Sequence, residues 1–446
     1  MNTALRRPLA ASLLLFLAPA IALAESADDF VEGYLKQKQI PGSAIMVRHE
    51  GKTVLCQGYG AANLEHDVRV KPQTIFQSGS IGKQFTAMAV MLLVEDGKIA
   101  LADPVTKYLD LPASWSGMTV RHLLTHTSGL GDYREDFSLQ ADYTEEDLLK
   151  MIKAQPLASA PGEKWSYSNL GYVSLGILIH KASGEFYGDF LQRRVFAPLG
   201  MKSAQVINEA DIIPHRAAGY RLKEGALKNQ EWISPSVNTT ADGSLYLTAD
   251  DMAKWAEGLD NEKLLSRAGY EQMWAPVKLN DGSTAPYGFG WGIHQTPTGR
   301  RVLEHGGVWQ GFAAHIARYP NDHLTVAVFC NRVGASARYI AQRVAGSYVP
   351  ALAPPVHTAK KIDPAILRSY AGDYRLEERF SIKVKAVGGH LETTWLGEKM
   401  IMTPKSESAF FEEDSDRTFR FEKDDKGAVT SLIISVPEEL VLARLP

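Results

Sequence analysis

The chain has 446 residues, of which 45% are hydrophobic, 22% charged and two are cysteine, with a formal net charge of −3. That length and apolar content suit one large domain plus an appendage. The near-neutral balance leaves no basic footprint for nucleic acid, and the cysteines lack the spacing of a metal site, so neither metal nor cofactor is expected.

Residues 1–24 have the pattern of an export signal: Arg6 and Arg7, an apolar run from Leu13 to Ile21, and the small-residue cleavage site Ala22-Leu23-Ala24. The mature chain is then expected to begin at Glu25 and to be periplasmic or secreted. No later segment is apolar and long enough to span a bilayer. In an exported protein Cys56 and Cys330 can form one disulfide if their strands approach.

A short helix is expected over Asp28 to Lys38, then a hairpin from Ser43 to Val47 and Thr53 to Tyr59, turning through Glu50-Gly51. A long apolar helix runs from Phe85 to Val94 and stops at Gly97. Residues 100–270 read as mainly helical, with segments at Val120 to Leu124, Thr144 to Ala154, Leu170 to Ala182, Tyr187 to Phe196 and Thr248 to Leu259. Strand-like runs follow at Arg301 to Glu304, Phe312 to Tyr319 and Leu324 to Asn331, and Arg338 to Gly346 closes this part as a helix. The hairpin and late strands can join in one antiparallel sheet with helices around it, an α+β fold. Residues 25–348 form this domain, and the Pro-rich stretch within 349–362 is the linker. Short β runs alternating with Gly- and Asp-rich turns over 363–446 predict a small antiparallel barrel or sheet, whose charged turns at Glu412 to Asp416 and Lys423 to Lys426 are expected to face solvent.

Chemistry concentrates at Ser80-Ile81-Gly82-Lys83, the one Ser-x-x-Lys of the chain, at the start of the apolar helix. Residues three apart on a helix share a face, so a hydroxyl and an amine meet there. Serine needs a neighbouring base to act as a nucleophile, and a helix N-terminus favours developing negative charge. The same serine can equally serve as a helix cap.

Tyr167-Ser168-Asn169 follows a Pro-Gly turn, and side chains two apart in an extended loop face one way. Tyr167 can otherwise be a core tyrosine with a satisfied hydroxyl. Tyr319-Pro320-Asn321 is a weaker second match. His305-Gly306-Gly307 ends a β run; glycines there let backbone N–H groups approach a substrate, and His305 can donate to a carbonyl or carboxylate. His126 is read as structural, and the absence of Gly-x-Ser-x-Gly argues against an α/β-hydrolase.

Together, Ser80-Ile81-Gly82-Lys83, Tyr167-Ser168-Asn169 and His305-Gly306-Gly307 resemble the three active-site motifs of serine β-lactamases and penicillin-binding proteins. The similarity is greatest to the class C-like branch with D-aminopeptidases, D,D-carboxypeptidases and esterases. The stretches Leu123 to Leu130, Pro198 to Met201 and Tyr287-Gly288-Phe289-Gly290-Trp291 share it, and it covers about residues 28–346.

The resemblance implies a β-lactamase/transpeptidase-like fold with a helical subdomain and a lipocalin-like C-terminal domain. It makes Ser80 the acylated nucleophile, Lys83 its helper and Tyr167 the general base. Asn169 then positions the substrate, and the N–H groups of Ser80 and Val308, beyond Gly306 and Gly307, form the oxyanion hole. For Tyr167 to be a base, Lys83 and His305 are expected to lower its pKa. Histidine at 305 replaces the lysine of many relatives and points toward D-aminopeptidase and esterase members. The expected function is an exported serine hydrolase cleaving amide or ester bonds of small-molecule or short-peptide substrates, D-residue peptides or derivatives. The alternatives are a D,D-carboxypeptidase or β-lactamase, and an inactive protein that binds peptidoglycan fragments or a partner.

Overall fold

The structure is a computed structural model describing residues 26–133, 137–208, 210–231, 240–376, 380–395, 398–436 and 438–445; the expected export signal lies outside the described residues. Helix α1 (Ala27–Gln37) precedes the hairpin of β1 (Gly42–His49) and β2 (Lys52–Asn63), with β3 (Val68–Arg69) at the edge. The late strands are β4 (Gly292–Gln295), β5 (Arg301–Trp309), β6 (Phe312–Tyr319) and β7 (Leu324–Cys330). They join into one seven-stranded antiparallel sheet of order β4-β5-β6-β7-β1-β2-β3.

The apolar run of β1 explains why the sheet is a middle layer. Ala44 and Met46 enter the front core, while Ile45 and Val47 enter the rear core with α1 and with α6, the Ala337–Tyr348 helix. Successive side chains of a strand point to opposite faces, so a strand covered on both sides must be apolar throughout. In front lies α2 (Gly82–Glu95), buried from Gly82 to Leu93. A helix apolar on all sides belongs inside a core. Around it pack α3 (Val120–Leu124), α4 (Asn169–Ser183) and α5 (Ala249–Asp260).

One departure from the sequence expectation matters for the site. The β run expected to end at Glu304 continues through His305, Gly306, Gly307 and Val308, paired with Ile316, His315, Ala314 and Ala313. The glycine pair is thus strand backbone rather than a turn. Gly307 needs no side chain because a Cβ there would lie 2.0 Å from the Ser78 carbonyl oxygen. The two cysteines remain free thiols. They lie on the strands flanking β1, Cys56 opposite Met46 and Cys330 opposite Ser43. Cys56 Sγ donates to Asp250 Oδ1 at 3.2 Å and Cys330 Sγ to Ser43 Oγ at 3.7 Å.

Beyond residue 364, eight antiparallel strands from Gly372–Leu376 to Glu438–Arg444 close into a barrel. Its interior is filled by Tyr370, Tyr374, Phe410, Phe419, Phe421 and aliphatic side chains, Tyr370 stacking on Phe421 at 4.2 Å. It is a packed core rather than a ligand cup.

The turn at 412–416 keeps Glu413 and Asp414 exposed, as its charge suggests, but it also docks on the first domain. Tyr34 donates its hydroxyl to the Asp414 carbonyl at 2.9 Å, and Gln37 donates to Asp414 Oδ2 at 2.8 Å. Arg338 of α6 donates to Asp416 Oδ2 at 2.8 Å. Its other edge grips Glu304 of β5 with two 3.0 Å bonds, and His315 adds a third contact to Glu304 at 3.1 Å. Of the turn's acidic groups it is Asp416 that pairs with Arg338 of the rear helix layer, and that pairing draws it inward.

Candidate active site

Ser80 sits in a single 3₁₀ turn, Gly79–Ile81, that leads into α2. The turn requires glycine at 79, where φ is +52° and a Cβ would come within 2.5 Å of the Val308 nitrogen. The backbones around Ser80 and Val308 are therefore nearly in contact. Val308 itself is 57% exposed and lies at the rim.

Lys83, one turn along, is fully buried. Its ammonium has three hydrogens and meets three acceptors: Ser80 Oγ at 3.1 Å, Asn169 Oδ1 at 2.7 Å and the Asp242 carbonyl. The group also lies 4.9 Å from the Tyr167 ring centre and 5.5 Å from that of Tyr172. Burial pushes the Lys83 pKa down to about 8, against the pull of the Asp242 and Asp132 carboxylates. An amine next to a serine hydroxyl and poised near neutrality can accept that hydroxyl's proton.

Tyr167 reaches Ser80 through a side-chain hydrogen bond. The expectation that neighbouring cations lower its pKa is overturned: burial drives it well above its ordinary value, and the bond to Ser80 offsets this only in part. Lys83 is partly deprotonated near pH 8, and His305 supplies no charge. Burial, with the nearby Lys83 charge, carries His305 down to about 3.

Tyr167 and Asn169 are held by a scaffold that the sequence signals only through His126. The N–H of Ser168 donates to His126 Nδ1 at 3.1 Å, and the Tyr167 ring lies 4.3 Å from the His126 ring. Ser168 also caps α4, accepting from the Gly171 N–H at 3.1 Å, and donates its hydroxyl to the Gly131 carbonyl at 2.6 Å. Asn169 is expected to position the substrate, yet its amide spans Lys83 and Asp132, donating to Asp132 Oδ2 at 3.0 Å. It orients Lys83 directly.

His305 uses both ring nitrogens within the protein. Nδ1 is 2.6 Å from the Gly306 carbonyl and Nε2 is 2.8 Å from the Tyr287 hydroxyl. Tyr319 of the second Tyr-x-Asn match faces the rear core. Three residues of the site escape sequence reading: Asp132, Asp242 and Tyr287. Tyr287 lies in a stretch that resembles the family, but nothing in its spacing marks it as a site residue. Among the described residues no cluster of His, Cys, Asp and Glu is arranged as metal ligands, and no helix is long and apolar enough to cross a membrane.

A buried lysine bonded to a serine at a helix start, with a tyrosine on the same serine, defines a serine hydrolase of the Ser-x-x-Lys type. Comparison with known proteins agrees: residues 27–347 match the Beta-lactamase family model and residues 356–443 match a domain of unknown function (DUF3471). The chain belongs to the Beta-lactamase family.

It is 29% identical over 402 residues to penicillin-binding protein 4* of Bacillus subtilis, covering 84% of this chain and 89% of that protein. It is 29% identical over 324 residues to a D-aminopeptidase of Gluconobacter oxydans, covering 70% of this chain and 60% of that protein. Among solved structures, the octameric penicillin-binding protein homologue from Pyrococcus abyssi aligns with a TM-score of 0.68 at 25% identity, over 93% of this chain and 99% of that one.

Proposed function

We propose that the protein is an exported serine hydrolase that cleaves amide or ester bonds of small D-residue peptides or derivatives through an acyl-enzyme on Ser80. The observation that carries this reading is the Lys83–Ser80 contact of 3.1 Å beneath a tyrosine on the same hydroxyl. Neutral Lys83 takes the proton from Ser80 as Oγ attacks the carbonyl. The proton held on Lys83 then passes through the Tyr167 hydroxyl to the leaving nitrogen or oxygen as its bond to the acyl carbon breaks, and a water later gives its proton back along the same path as it attacks the acyl-enzyme and frees the acid. The N–H groups of Ser80 and Val308 receive the oxyanion, helped by the positive end of α2. Export rests on the composition of residues 1–24.

Two points favour amides and esters over the carboxylate-terminated substrates of a D,D-carboxypeptidase. His305 is neutral, and the Asp132 and Asp242 carboxylates act electrostatically on Lys83. A panel of D- and L-aminoacyl amides, short-chain esters and a chromogenic cephalosporin tests the reading. Turnover of D-aminoacyl amides or esters ahead of the cephalosporin is expected. A preference for the cephalosporin, or turnover of nothing with unchanged ligand binding in Ser80→Ala, contradicts it.

A further inference from the structure

His305 stands where β5 passes the nucleophile, and its hydrogen bonds determine what it can offer a substrate. A carbonyl oxygen only accepts, so the 2.6 Å contact with the Gly306 carbonyl places the ring proton on Nδ1. Nε2 is then a bare acceptor, and the Tyr287 hydroxyl donates to it at 2.8 Å. The ring's only N–H is spent on its own strand, and its only lone pair is spent on Tyr287. Lys83, the other basic group beside Ser80, has likewise committed its three hydrogens to Ser80, Asn169 and Asp242. Neither group has an N–H left for a substrate carboxylate.

We propose that Tyr287 is a specificity-determining positioning residue: by donating to Nε2 it holds His305 in the neutral Nδ1–H tautomer and thereby disfavours substrates that end in a free carboxylate. This rests on the hydrolase reading above and adds the residue that sets its preference. The lock is buried, Tyr287 being 2% and His305 8% exposed. It is packed on His126, whose ring lies 4.7 Å from that of Tyr287, and on Trp165, 6.0 Å away. The charged and titratable groups facing His305 are Lys83, His126, Tyr167 and Tyr287 in front, with Glu304 acting from β5 itself and His315 from the neighbouring β6. Without the Tyr287 hydroxyl, Nε2 becomes a buried acceptor with no donor. Protonation of the ring then becomes less costly relative to the neutral form, against the burial and the Lys83 charge that otherwise hold His305 neutral.

The test compares D-alanyl-D-alanine with its C-terminal amide in the parent and in Tyr287→Phe at pH 6 and pH 8. The parent should favour the amide, and Tyr287→Phe should cut that preference at least about tenfold at pH 6 through a lower KM for the free acid. A preference unchanged in an active variant, or a parent that favours the acid, overturns the proposal. Nitrogen-15 NMR of the histidine-labelled parent provides an independent readout when the variant fails to fold or neither dipeptide is cleaved. His305 should show a protonated Nδ1 and a bare Nε2 with no titration between pH 5 and pH 8. The opposite tautomer, or titration near ~6.5, overturns it, whereas failure of hydrolysis alone counts against the proposed function.

Discussion

Glu304 and His305 are adjacent on β5, and their buried surroundings treat charge in opposite ways. On the rear side, burial alone would raise the Glu304 carboxyl, but the Arg338 charge and the bonds from His315 and Arg338 hold it well below the usual range. Arg338 is in turn shared with Asp416 of the barrel. On the front, burial wins, so Lys83 falls to about 8 and His305 to about 3. A buried charge with a matched partner stays charged and ties parts of a fold together. One without such a partner is driven toward its neutral form, which leaves His305 uncharged and makes Lys83 a proton acceptor near neutral pH. The rear cluster therefore serves structure and the front cluster serves chemistry.

Removing the front amine should have the largest effect on chemistry and the least on stability. Lys83→Met is expected to lower kcat by about 10²–10⁴-fold, the usual worth of a general base, while unfolding no earlier than the parent at pH 7. The sign follows from linkage. The folded pKa lies below the ordinary 10.5, so protonated Lys83 costs stability below pH ~8, and that cost fades as pH rises toward the unfolded value. Urea melts at pH 7 and kcat on one ester check both halves; a large stability loss with kcat retained would contradict the division.

Arg338→Met should do the reverse. It strands Glu304 in the core beside His315 alone and frees Asp416 of the 412–416 turn, which predicts a loss of about 3–5 kcal/mol. The pH dependence of the surviving activity should not move. A smaller effect is expected in the pH profile of the parent. If neutral Lys83 is the base, kcat/KM should rise about tenfold per pH unit and level off above pH ~8, with no inflection near ~6.5. A rise delayed past pH ~10 would instead place the base at Tyr167.

Much of the fold and the site is legible in the amino-acid sequence. The helix of Ser80 and Lys83 shows in its apolar run, and Tyr167, Asn169 and His305 are marked by local patterns. What escapes depends on contacts between distant segments. Asp242 reaches Lys83 through its carbonyl from 159 positions away, and backbone acceptors leave no trace in side-chain pattern. Gly306 and Gly307 read as a turn because glycine weakens any strand in isolation, yet pairing with β6 and the tight approach of Ser78 explain them. The direction of the Tyr167 shift does not follow from sequence because burial, which sequence does not report, drives it upward and the Asp132 and Asp242 carboxylates add to it. The 412–416 turn reads as solvated because its partner, Arg338, lies on another domain.

The most direct test of the central claim is intact-mass and peptide-level mass spectrometry of the full chain after exposure to a fluorophosphonate probe and, separately, to a slowly released ester quenched during turnover. One adduct per chain is expected, on Ser80, lost in Ser80→Ala and slowed in Lys83→Met. Turnover with an adduct on any other residue, or an adduct that persists in Ser80→Ala, would contradict it.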